Sequence, residues 1–428
     1  MNKKLLAFTL SIAVAPNFSF AQVEPTPSPA NSPAEMVLPY EELPELKASE
    51  ILRPEILNGP HHKVREEVST YFGANHYVID SEFGVFEAEG NEMLVRRVNE
   101  INAIAKLKEV SRTDQYKNAL VTAAKAPVAA AKSIVTDPVN TVKSVPKGIM
   151  KFMGRAGESI KGMGKKASSD SVDGSTARDV IGFTGTKRKV AVSLGVDPYS
   201  SNAVLQKELD GIAWAAFAGG ATFQLATMPI GGGVGAALTV TNVAGSLEDL
   251  LATKDPSDLK IMNRKTLLAM GANSTAVESF LNNEAFSPTA QTAFTLSLKA
   301  LGGVANRGAF VKIAGQNSSS EADAIFCVQT AALLAKLHNG EMPLARIAPI
   351  NNFPTCVAKD GTIVAALQWD YAAFTARADD FSKLLQAQTK PPATCFVGLS
   401  GVASPHLRQE LESRGFRVED HLSPGPLR

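Results

Sequence analysis

The chain has 428 residues, 45% of them hydrophobic and 20% charged, with a net charge of +1. That mixture belongs to a folded globular protein with room for two or three domains, and it excludes a disordered or fibrous polypeptide. The near-neutral total conceals a swing from −8 over residues 22–110 to +9 over residues 111–190, so the two blocks either neutralise each other or leave a basic face for an anionic partner.

Asn2-Lys3-Lys4, the apolar run Leu5 to Ala15 and the small-x-small exit Ser19-Phe20-Ala21 read as a cleaved secretory signal over residues 1–21, with Gln22 as the new start and a periplasmic or secreted destination. The run is too short to span a bilayer. No cysteine near the cleavage point offers a lipidation site. Residues 22–39, with Pro25, Pro27, Pro29, Pro33 and Pro39, read as an extended linker.

In residues 40–112, Tyr77-Val78-Ile79 followed by Phe83-Gly84-Val85-Phe86 predicts a hairpin between His76 and Glu89. A helix follows, capped by Asn91, with Leu94, Val98, Ile101, Ile104 and Leu107 as one apolar stripe.

Residues 113–195 are read as a basic amphipathic helical segment. Pro127-Val128 with Lys132-Ser133-Ile134 recurs eleven residues later as Pro138-Val139 with Lys143-Ser144-Val145, and a period near three helical turns keeps like positions on one face. Val139, Val142, Ile149, Met153, Ile160 and Met163 line an apolar face. Lys132, Lys143, Lys147, Lys151, Arg155, Lys161, Lys165 and Lys166 make the basic one. Such a segment lies on an anionic membrane surface or an acidic protein partner; the alternative is a basic helix packed against the acidic block of its own chain. The cluster Gly154, Gly157, Gly162 and Gly164 weakens the helix.

Residues 196–344 read as all-helical. No charge occurs between Gly211 and Leu247, but Thr222, Gln224, Thr227, Thr239, Thr241 and Asn242 favour a buried helical hairpin over membrane insertion. The Gly231 to Ala236 cluster lacks the strand-helix frame and ribose carboxylate of a dinucleotide loop. Further on, Asp255-Pro256, Ser287-Pro288 and Ser319 or Ser320 open helices that stop near Gly271, Gly302-Gly303 and Gly340.

Residues 345–428 form a predicted α/β unit. Cys356 to Ala358 and Thr362 to Leu367 read as a hairpin around Lys359-Asp360-Gly361, then a helix with Phe374, Phe381, Leu384 and Leu385, a strand over Ala393 to Leu399, a helix from Pro405 to Arg414 and a last strand at Phe416 to Val418. Cys327, Cys356 and Cys395 permit one bridge in an oxidising compartment, with Cys356 and Cys395 the preferred pair, or three buried thiols.

The candidate chemical groups fall short one by one. Gly398-Leu399-Ser400-Gly401 approximates a nucleophile elbow, but Val402 stands where the last glycine belongs. His61-His62, with His76 and Asp80, contain metal-capable side chains, yet neighbours on a strand face opposite ways. Asp379-Asp380 reads as a solvated helix face, and Lys187-Arg188-Lys189 is too small a cluster for nucleic acid. No metal site and no cofactor are indicated.

The expectation is therefore an α+β chain, predominantly helical, with a small N-terminal β-hairpin and a C-terminal α/β unit. Its expected role is that of an exported bacterial-type envelope component, non-enzymatic, holding to a membrane surface or partner through residues 113–166. The alternative is a periplasmic enzyme or small-ligand binder whose site, drawing on Asp370, Ser400, His406 or His338, lies between the helical domain and the C-terminal unit.

Overall fold

The computed structural model describes residues 40–125, 174–225, 243–389, 394–423 and 425–428. The fold is α+β, built from an N-terminal antiparallel sheet, a helical middle and a C-terminal mixed sheet.

The N-terminal sheet contains the expected hairpin and more. β1 (Leu46–Lys47), β2 (Asn58–Gly59), β3 (His62–Val64), β4 (Glu67–Tyr71) and β5 (Ala74–Ser81) run in the order β1-β4-β5-β3-β2, and β6 (Gly84–Glu89) pairs with β5. Two short helices, α1 (Ala48–Ile51) and α2 (Pro54–Leu57), bridge β1 and β2. Along β5 residues of alternate burial put Tyr77 and Ile79 inward, the period-two pattern of a sheet with one covered face. Over that face lies α3 (Asn91–Ser111), whose Leu94, Val98, Ile101, Ile104 and Leu107 are all fully buried, as the stripe predicts. Its cap differs from expectation. Gly90, at φ 92°, holds the N-cap position without a side-chain bond, and Asn91 is the first helical residue.

In the helical middle, α4 (Asp114–Lys125), α5 (Gly174–Ser193) and α6 (Ala203–Phe217) pack together against α3 around Leu107, Val190, Leu194, Leu205, Leu209 and Ile212. Asn202 caps α6 by accepting from the N–H groups of Val204 and Leu205. Within the described parts of the charge-free stretch Ile212, Trp214, Leu225 and Leu247 are buried while Gly220, Thr222, Gln224 and Gly245 are exposed; residues 226–242, the middle of the expected hairpin, lie outside the described residues. Among the described residues no helix is long and apolar enough to cross a membrane.

Six further helices follow, α7 (Val243–Thr253), α8 (Pro256–Ala269), α9 (Ser274–Leu281), α10 (Pro288–Ala300), α11 (Gly308–Asn317) and α12 (Glu321–Asn339). Asp255, Ser287 and Ser320 cap α8, α10 and α12 as read from the sequence, and Ser320 with Asp323 forms a reciprocal capping box. The sequence reading missed α9 and α11. Phe280, Phe294 and Phe310, each fully buried, stack at 5.0 Å centroid spacing to form the centre of this core.

The last sheet runs β13-β11-β9-β8-β7, with β7 (Leu344–Ile347), β8 (Cys356–Ala358), β9 (Ile363–Leu367), β11 (Cys395–Leu399) and β13 (Phe416–Glu419). β9, β11 and β13 are parallel, while β7 and β8 are antiparallel. A parallel pair of two-residue strands, β10 (Tyr371–Ala372) and β12 (Val402–Ala403), extends the loops beyond β9 and β11. α12 covers one face through Cys356, Val364 and Ala366; α13 (Ala376–Gln388) and α14 (Pro405–Ser413) cover the other through Ala365, Cys395 and Val397. Phe374 precedes α13, which Thr375 caps.

Candidate functional site

In open parallel sheets, ligands settle beyond the carboxyl ends of the strands, so that edge is the first place to look for chemistry. Here the ends of β9, β11 and β13 carry Trp369-Asp370, Ser400-Gly401 and Asp420-His421. The chain itself covers them. A Cβ on Gly73, at the β4–β5 turn, would lie 2.4 Å from the Trp369 ring, so only glycine admits that contact. Asp370 Oδ2 accepts from the backbone N–H of Asn75 at 2.9 Å and of Asn91 at 3.0 Å. The stretch after β13 crosses β11: His421, Leu422 and Ser423 donate to Gly401, Leu399 and Ser400. Burial pushes the Asp370 carboxyl up to about 7, against the two N–H donors that favour its charged form.

Ser400 lies in this junction and is buried, its Oγ donating to the Trp369 carbonyl at 2.8 Å. It is no exposed nucleophile. His338 and His406 sit elsewhere: the His338 ring bridges the Gly302 carbonyl and the Leu344 N–H, and His406 stacks against Phe374 beside Glu410. The four groups weighed for catalysis thus divide into one buried pair and two separate surfaces.

A second polar cluster, which sequence reasoning missed, joins α3 to the loop before α6 and the start of α12. Arg97 bonds Glu100 at 2.7 Å and reaches Ser201, which donates to Glu321. Buried Glu100 also accepts from Ser200 and Asn202. Asp197 accepts from Thr289 Oγ1 and the Tyr199 N–H, and burial raises its carboxyl above the usual range. The adjoining cavity, which Arg96, Arg97, Glu100, Asp197 and Glu321 line, has about 20 Å³ of space, the room of a single water. No local motif marks this cluster, because its members lie a hundred residues apart.

The remaining candidates resolve into structural roles. His61 bonds Glu82 at the surface, while His62 is buried with Nε2 2.9 Å from the Ile56 carbonyl, so the two histidines do face apart. His76 lies on β5, and Asp80 pairs with Arg65. Among the described residues no group of acidic, histidine and cysteine side chains is placed to hold a metal. Asp379 departs from the solvated-face expectation: it is buried, bound by Tyr40, Lys383 and Arg414, and those partners hold its carboxyl down to about 2. Lys187 pairs with Asp210, and Arg188 is buried. Cys356 and Cys395, the expected bridge, are free thiols, as is Cys327. The reason is register: Cys356 pairs with Val364 and Cys395 with Ile363 on the intervening strand, and successive residues of a strand face opposite sides.

Lys132, Lys143, Lys147, Lys151, Arg155, Lys161, Lys165 and Lys166 lie outside the described residues, but the roots of their segment do not. α5 runs antiparallel to α6, with Lys187 2.6 Å from Asp210 and Gly182 against Phe217. α4 packs against the end of α6 and the loop after it, Ala119 against Gly219, Gln115 bonded to the Thr222 carbonyl and Tyr116 beside Phe223. Ala119 of α4 and Gly182 of α5 therefore both lie at the end of the bundle at which α6 finishes. This end of α6, packed against the two helices that flank residues 126–173, is the candidate functional site. Comparison with known proteins places the chain in no family: no family model, no curated protein and no solved structure matches it.

Proposed function

We propose that this protein is an exported, non-enzymatic envelope component that holds to an anionic membrane surface through its basic segment, residues 113–166. The observation carrying the reading is the placement of the helices that flank residues 126–173: Ala119 of α4 lies against Gly219 and Gly182 of α5 against Phe217, both where α6 finishes. Charge bookkeeping points the same way. Among the described residues, acids of the N-terminal block pair with cations of that block, Glu50 with Lys47, Asp80 with Arg65, Glu82 with His61, Glu92 with Arg96, Glu100 with Arg97 and Glu109 with Lys106. These six acids are thus engaged within their own block. The alternative of a periplasmic enzyme or small-ligand binder gains less support, since Asp370 and Ser400 are engaged by backbone groups and stand apart from His338 and His406.

Sedimentation of the mature protein with vesicles tests the proposal. Binding is expected to anionic but not neutral vesicles and to fall as salt rises. Changing Lys143, Lys147 and Lys151 to Gln removes roughly 1 kcal/mol each, about a hundredfold in affinity. Equal, negligible pelleting under all conditions overturns the membrane reading; salt-sensitive capture by an acidic protein in its place supports the other anionic partner.

A further inference from the structure

The junction around Asp370 joins parts of the chain distant in sequence through one carboxyl group. Its Oδ2 accepts from β5 at Asn75 and from the first turn of α3 at Asn91. Its own N–H donates to Gly73 of the β4–β5 turn at 2.6 Å, and its carbonyl accepts from Val402 at 3.0 Å. The fit to the β11–β12 turn is close, since a Cβ on Gly401 would lie 2.1 Å from that carbonyl oxygen. The surrounding polar groups satisfy one another: Tyr77 donates to Asn91 Oδ1 at 2.6 Å, and Asn75 Nδ2 donates to the Tyr77 hydroxyl at 3.0 Å.

We propose that Asp370 is a proton-operated latch between the N-terminal sheet and the C-terminal α/β unit, tight when its carboxyl is protonated and loosened when it ionises. The groups facing it are known from each element. Glu92 on α3 is the like charge that opposes ionisation, Tyr77 on β5 is held neutral by burial, and the β4–β5 and β11–β12 turns present Gly73, Ser400 and Gly401 without charge. Asp420 and His421, beyond Gly401, pair with each other at 3.1 Å. Among the described residues no cation offsets the charge at the junction, and the two N–H donors are the groups that favour it.

The direction follows from linkage. The closed junction keeps the proton up to about 7, whereas a carboxyl opened to water returns to its ordinary 3.8. Between those values the closed form binds more protons than the open one, so raising the pH favours opening, and the bias saturates once both forms are ionised. An exported protein meets the pH of its surroundings, so this range is one it would experience.

Hydrogen exchange at the Asn75 and Asn91 amides of the full chain, corrected for intrinsic rates, tests the latch. Wild-type protection is expected to fall about 50-fold between pH 5 and 7 and to level off above about pH 8. Asp370→Asn keeps an acceptor but cannot titrate, and its protection at these amides should not follow pH. Wild-type protection that is constant over this range, or an identical slope in the variant, overturns the proposal. Should the variant not fold, the carboxyl carbon resonance of wild-type Asp370 decides: a midpoint near 7 upholds the latch and one near 4 rejects it.

Discussion

Leu427→Ala probes how the two ends of the described chain hold each other. After β13 the chain leaves the C-terminal sheet and reaches the N-terminal unit, where Leu427 pairs with Leu52 in a single β-bridge. Its side chain, 7% exposed, joins the core of Leu52, Ile56, Tyr77 and Leu94. Three hydrogen bonds flank it: Arg53 N–H to the Pro426 carbonyl at 2.9 Å, Arg428 N–H to the Ile51 carbonyl at 3.0 Å, and Arg428 Nε to the Leu52 carbonyl at 2.7 Å. Truncating a buried leucine costs about 2–5 kcal/mol. A strand held on one side can settle into the space, so the lower end, about 2–3 kcal/mol, is expected here. The assay is a urea denaturation series paired with exchange at the Arg53 amide. A drop of about 2 kcal/mol accelerates local opening about 30-fold, provided the tail detaches before the core unfolds. Arg53 exchange within a factor of two of wild type would refute the view that Leu427 anchors this crossing.

Two more perturbations test the packing and the titration. Gly401→Ala places a methyl on the Asp370 carbonyl and should destabilise by at least about 1–3 kcal/mol, whereas Gly185→Ala, within α5 and with only Arg188 at 3.8 Å, should stabilise by up to about 1 kcal/mol; thermal unfolding of both reads the contrast, and equal shifts would count against the geometry. His62 donates from Nε2 to Ile56, leaving buried Nδ1 unpartnered, and burial lowers its proton affinity below the ordinary 6.5. The unfolded chain therefore binds the proton first, so stability is present above pH 6.5 and is lost as the pH falls below it. Exchange of the Asn58–Val64 amides should quicken on acidification in wild type and not in His62→Gln, the opposite trend to that at Asp370; identical pH profiles would exclude His62 as the cause.

Helix ends and periodic stripes were legible because their causes are local. Asp255-Pro256, Ser287-Pro288 and Ser320 act on N–H groups two or three residues away, and the α3 stripe follows from 3.6 residues per turn. Short elements were not. β1, β2 and β7 are two to four residues long and exist because partner strands pair with them, while α9 starts at a single Asn273 cap and α11 has no side-chain cap at its start. Asp379 shows the same limit within one side chain: its helix is legible, but its burial depends on Tyr40 and Arg414, from opposite ends of the described chain.

By itself, the sequence determined the α+β class, the starts of α8, α10, α12 and α14, the β8–β9 hairpin and the presence of a basic block, since propensity, capping and charge are properties of neighbouring residues. Tertiary structure alone decided that Cys356 and Cys395 stay apart on a strand register, that Ser400 is sealed, that Asp370 ties β5 to α3, and that α4 and α5 both pack where α6 finishes. Those outcomes depend on which surfaces meet, and burial, desolvation and hydrogen-bond partners exist only after they have met.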